Sequence, residues 1–185
     1  MSCVTGVFAN FVNDCANSPL ENLEEVAYFI SGADVASFTK TGNNYTALTL
    51  KSGKQAYTVN GFKKGHGKKT EAVVSETLPT QYTYTYDFQV WSNDSTTLTN
   101  LEKLDDLIVI IENVNKGNAG NGAFNIIGLK NNMTKATLTH DSNADSGVYK
   151  VALTSKGNSE LMPVLHITDY ATTKAYVEAL LTPAP

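Results

Sequence analysis

From Thr80 to Ser92 the chain reads TQYTYTYDFQVWS, and polar and apolar side chains alternate without a break. Tyr82, Tyr84, Tyr86, Phe88 and Val90 fall on one side, and Gln81, Thr83, Thr85, Asp87 and Gln89 on the other. A period of two held this long predicts a half-buried strand, with one face on a core and the other on water or a polar channel. Shorter versions of the signal recur. Glu24–Ser31 (EEVAYFIS) ends in an apolar cluster, and Tyr45–Leu50 (YTALTL) follows the turn signal Gly42-Asn43-Asn44. Ser52-Gly53 then separates Tyr45–Leu50 from Gln55–Asn60 (QAYTVN), which predicts that these two segments form a hairpin.

The period changes at Thr96–Leu104 (TTLTNLEKL), where Leu98, Leu101 and Leu104 recur every three residues and predict a short helix. Leu107–Ile111 (LIVII) has no polar interruption and reads as a central strand covered on both faces. After the Asn/Gly-rich turn Asn115–Gly122 come four more strand candidates: Ala123–Leu129, Met133–Thr139, Val148–Ser155 and Leu161–Ile167. Asp169 is placed to cap a helix from about Tyr170 to Leu181, with Ala171, Ala175 and Val177–Leu181 as its apolar stripe and Lys174–Glu178 as an i,i+4 pair. The fold class expected is mainly β, a β-sandwich or curled barrel with one or two flanking α-helices. Residues 1–185 read as a single domain, with an N-terminal arm over 1–22, an extended basic loop over 61–69 and a C-terminal helix over 169–182.

Composition narrows the functional classes. An apolar content of 42% suffices for a core and argues against disorder. The net charge is −4, and every basic residue is a lysine, for the chain contains no arginine. Arginine is the preferred residue for bidentate reading of phosphates and bases, so a protein that grips nucleic acid is disfavoured, although one that surrounds it is not. Cys3 and Cys15 match no zinc spacing and read as two thiols in a reducing compartment, with a disulfide as the alternative. No basic-then-apolar leader and no run of about 20 apolar residues is present, so neither a secretory signal nor a membrane span is expected.

Candidate chemistry is sparse. His66, His140 and His166 are dispersed and fit no zincin or deaminase spacing. His140 and Asp141, adjacent on a strand, point to opposite faces. There is no Gly-x-Ser-x-Gly elbow and no phosphate-binding Gly-x-x-x-x-Gly-Lys-Ser/Thr loop, and Gly117–Gly122 lacks the strand-then-helix setting of a dinucleotide site. Neither catalysis nor a cofactor or metal is expected.

The run FNIIGLKNNMTKATLTH, the acidic turn DSNADSG and the strand VYKVALTS follow one another from Phe124 onward. In that order, with a strand ending at a Gly-Leu turn, they resemble the C-terminal half of bacteriophage major tail-tube proteins. The ending TDYATTKAYVEALL and the opening MSCVTGVFANFVNDC are similar to structural proteins of tailed phages of Bacteroides-like hosts. The resemblance implies a homo-oligomer of stacked, usually hexameric rings, in which each subunit's sheet is completed by its neighbours into a barrel lining a lumen. It implies a virion protein assembled in the host cytoplasm, with a tape-measure protein and then DNA inside the tube, tail terminator and baseplate proteins at its ends, and no membrane contact.

On that reading Gln81, Thr83, Thr85, Asp87 and Gln89 line the lumen, where neutral hydroxyls and amides with few charges let phosphates slide through a weakly negative channel. The ordinary alternative is a solvated sheet face. Lys63, Lys64, His66, Lys68 and Lys69 are expected in an exposed loop making inter-ring contacts, against a phosphate-binding patch or a solvated loop tip with no partner. Other readings of the chain are a virion connector ring, a tail terminator or decoration protein, or a monomeric β-sandwich binding module.

Overall fold

Residues 23–60, 65–92, 94–143 and 147–185 are described by the computed structural model, and within them eleven strands and two α-helices form. The expected N-terminal arm with Cys3 and Cys15 lies outside the described residues, as do Lys63 and Lys64. First in order are β1 (Leu23–Ser31), β2 (Val35–Thr41), β3 (Asn44–Leu50) and β4 (Tyr57–Asn60), then β5 (Gly67–Val73) and β6 (Gln81–Val90). α1 (Ser95–Glu102) leads to β7 (Leu107–Asn113), β8 (Phe124–Ile127), β9 (Thr134–His140) and β10 (Tyr149–Asn158). β11 (Val164–Leu165) and α2 (Tyr170–Ala179) close the order.

The strands make two sheets and no closed barrel: a seven-stranded sheet in the order β2-β3-β11-β8-β7-β1-β4, and a four-stranded sheet in the order β5-β6-β10-β9. All pairs are antiparallel except β3 with β11. The protein is therefore mainly β, a sandwich flanked by helices. The larger sheet is covered on both sides, which explains the unbroken apolar run of β7. Val109 and Ile111 face the four-stranded sheet, meeting Tyr84, Tyr86, Phe88, Val151 and Leu153. Ile108 and Ile110 face the other way, into a second core with Tyr28, Phe124, Ile126 and Val177 of α2. Three layers result, and Leu101 of α1 with Leu104 just beyond it closes one end of the sandwich. Phe29 pins the two sheets by edge-on contacts to Tyr86 and Phe88, at ring separations of 6.0 and 5.3 Å.

Both helices begin where a side chain caps them. The Asp94 carboxylate accepts from Thr97 N and the Asp169 carboxylate from Thr172 N, satisfying amides that the first turn leaves free.

Four expectations are corrected. β3 and β4 do not form a hairpin: β3 pairs with β2 across the Gly42 turn, and β4 lies at the opposite margin against β1. The C-terminal segment intercepts the connection between them, since Gly53 N donates to Ala184 O, Ala184 N to Lys54 O and Ala56 N to Leu180 O. The stretch 61–69 is not a single exposed loop, because β5 begins at Gly67. In α2 the buried positions are Thr173 and Val177, while Ala171 and Ala175 are exposed. Thr173 tolerates burial because its hydroxyl donates to Asp169 O and accepts from Ile167 N. Finally, Lys174 turns away from the expected partner Glu178, toward Glu112 (3.6 Å) and the Tyr170 hydroxyl (3.1 Å).

Candidate functional site

The smaller sheet has one buried face, and its other face is the candidate. Within β6 the aromatic positions Tyr84, Tyr86 and Phe88 are buried, while Gln81 and Asp87 are exposed and Thr83, Thr85 and Gln89 half-buried. All five residues expected on one face do share it. Register extends that face across the sheet. Thr85 lies between Lys69 and Thr154, Thr83 opposite Glu71, and Gln89 opposite Lys150. Thr137 and Thr139 continue it on β9, opposite Ala152 and Lys150. The result is a threonine-rich surface on which Lys69 and Lys150 balance Glu71 and Asp87. Lys69 and Glu71 pair at 2.7 Å while both remain exposed, a geometry that adds little stability.

Asp87 occupies a recess in this surface. Its register neighbours are Gly67 and Ala152, so no side chain larger than a methyl flanks it. A hollow of about 330 Å³ opens there, with Gln89, Thr137 and Lys150 at its margin. Partial desolvation raises the Asp87 carboxyl above the usual carboxylate range, and Lys69 opposes the shift.

The expected inter-ring residues are dispersed by the strand. Lys69 joins the open face just described. His66 is buried between the sheets, with Nδ1 against the Tyr86 hydroxyl and Nε2 without a hydrogen-bond partner among the described residues. Burial lowers its pKa, and the backbone of Glu25 offsets part of that shift. Lys68 sits opposite Tyr86 and so faces the other sheet. Its stem is open to solvent at the sheet edge, but its ammonium turns inward to the side-chain oxygens of Asn113 (2.5 Å) and Asn125. Removal from water, with only amide oxygens in return, pulls its pKa down to about 8.

Two polar clusters escaped sequence reasoning. One is this inter-sheet contact of Lys68, Asn113 and Asn125. The other centres on Glu112, 3% exposed on the opposite face of β7. Lys116 meets it at 2.5 Å, the Tyr170 hydroxyl at 2.7 Å and Lys174 at 3.6 Å, and Lys116 also reaches Glu24 at 3.0 Å. The available signal was a polar residue inside or directly after an apolar strand, Asn125 within FNII and Glu112 after LIVII, because a buried polar group requires partners.

A larger groove of about 840 Å³ opens between α1 and β4, walled by Phe29, Val59, Leu101 and Leu104. No carboxylate or imidazole lines it among the described residues. Nor, among them, do three His, Cys, Asp or Glu side chains gather as metal ligands. No helix there is long and apolar enough to cross a membrane. No protein-family profile, curated protein or solved structure matches the chain.

Proposed function

We propose that this chain is a structural subunit of a bacteriophage tail tube, assembling edge to edge into stacked, hexameric rings rather than catalysing a reaction. The observation that carries the reading is the four-stranded sheet itself. Among the described residues one of its faces is polar and uncovered, and β5 and β9 at its two margins each pair on one side only. Open strand edges are a liability that proteins blunt or complete, and joining β5 of one copy to β9 of the next would complete both. Gln81, Thr83, Thr85, Asp87 and Gln89 would then face the lumen. A threonine-rich wall in which opposite charges cancel has no phosphate-gripping patch, which suits passage of DNA after a tape-measure protein has left. Tail terminator and baseplate proteins would bind the tube ends within the virion.

Electron microscopy of the purified protein at rising concentration tests this directly. Hollow tubes or stacked rings are expected. Short isolated rings would instead favour a connector or terminator, and a folded monomer at every concentration would leave a β-sandwich binding module as the better reading.

A further inference from the structure

A lysine that reaches across a sandwich to two amide side chains can do more than hydrogen-bond. Lys68 belongs to the marginal strand β5 of the small sheet, whereas Asn113 and Asn125 sit on β7 and β8 of the large one. The Lys68 ammonium donates to the Oδ1 of both. The amide orientations are fixed by their other contacts: Asn125 Nδ2 donates to the Pro163 carbonyl at 3.1 Å, and Asn113 Nδ2 to the Gly122 carbonyl at 2.7 Å. Carbonyl oxygens only accept, so each Oδ1 is the atom turned toward Lys68.

We propose that Lys68 and Asn125 join in an intramolecular isopeptide bond, with Asn113 as the group that activates the amide. Asn125 is the electrophile because its Oδ1 also receives the second Nδ2 hydrogen of Asn113, at 2.9 Å. That donor stays in place when the amine moves onto carbon, and its distance is that of an oxyanion-hole contact. Asn125 is also buried, 7% exposed, and held between β7 and β11 in register with Ile111 and Val164. In the step, the neutral Lys68 Nζ attacks Asn125 Cγ and charge collects on Oδ1 against Asn113. Collapse breaks the Cγ–Nδ2 bond. The departing nitrogen takes the proton released by Nζ and leaves as ammonia, and a secondary amide remains. Amine and primary amide become substituted amide and ammonia, so no oxidant or further reactant is needed. The amine is primed because its pKa is held near 8, leaving a useful neutral fraction at mildly alkaline pH. The bond would tie the two sheets across 57 residues of sequence, and it does not depend on the proposed assembly.

Intact mass under denaturing conditions tests this on the full chain after prolonged incubation at about pH 9, above the lowered amine pKa. The expected mass is lower than that of the sequence by one ammonia, and digestion should release one branched peptide containing Lys68 and Asn125. Lys68→Arg and Asn125→Ala should each show their full sequence mass, and Asn113→Ala should form the bond at least tenfold more slowly. A wild-type chain that keeps its full mass overturns the proposal whatever the variants do. An ammonia deficit that persists in Lys68→Arg also overturns it, because cyclisation at Asn60-Gly61 or Asn121-Gly122 would then be the source.

Discussion

Gly128 shows how much one residue can decide. It ends β8 with φ at +94°, and a Cβ added there would lie 2.4 Å from the Leu107 carbonyl oxygen. Both the conformation and the space exclude a side chain. Gly128→Ala is therefore expected to cost about 2–4 kcal/mol, readable as a lowered denaturant midpoint with an unchanged slope. His66 offers a second test. Its pKa in the folded protein lies below the ordinary value of about 6.5, so on acidification the unfolded chain takes up the proton first. The stability contributed by the neutral buried ring is complete above that value and declines as pH falls below it. The melting temperature should thus fall between about pH 7 and pH 5 more steeply in the wild type than in His66→Phe. Equal slopes would mean that the ring is solvated.

At the scale of elements, the features readable in advance were those with local causes. β6 follows from strict alternation, β7 from an unbroken apolar run, and α2 from the Asp169 cap. β2 was not readable, because most of its residues are exposed and only its pairing with β3 makes it a strand. The Lys68–Asn125 contact was hidden for a related reason. GFKKGHGKK has the composition of a loop, and only the register with β6 reveals that alternate residues from Gly67 onward face a core or an open surface. The misplaced stripe of α2 has another origin: apolarity suggested Ala171 and Ala175, but Thr173 satisfies its hydroxyl internally and can be buried. Packing of this helix depends on the charge cluster at its N-terminal end. Removing the carboxylate with Glu112→Ala would leave Lys116, Lys174 and the Tyr170 hydroxyl without their shared acceptor. A loss on the order of 3 kcal/mol is expected, with amide exchange in α2 accelerated more than in β6.

For the whole molecule the decisive contrast is between the two sheets. The centre of the larger is enclosed between the smaller sheet and α2, whereas the smaller leaves one side bare among the described residues; both sheets end in strands paired on one side only, β2 and β4 in the larger, β5 and β9 in the smaller. Leu138 lies on the β9 margin, already 38% exposed in the single chain. Leu138→Lys should leave the fold within about 1 kcal/mol of the wild type, since the lysine stem can cover the same apolar surface while its ammonium reaches water at the margin. A charge on an edge strand opposes strand addition, so the same substitution should abolish rings or tubes by electron microscopy. Tubes of normal length from Leu138→Lys would mean that β9 is not the joining edge.

The division of labour within β6 also bears on redesign. Tyr84, Tyr86 and Phe88 are bound by the volume of the core, whereas Gln81, Thr83 and Gln89 on the reverse side fill none of it. A library randomised at those three outward positions should consist largely of folded members, while one randomised at the three aromatics should not. The bare side is in that sense a rewritable panel, whose charge, bulk or reactivity could be chosen without renegotiating the scaffold behind it.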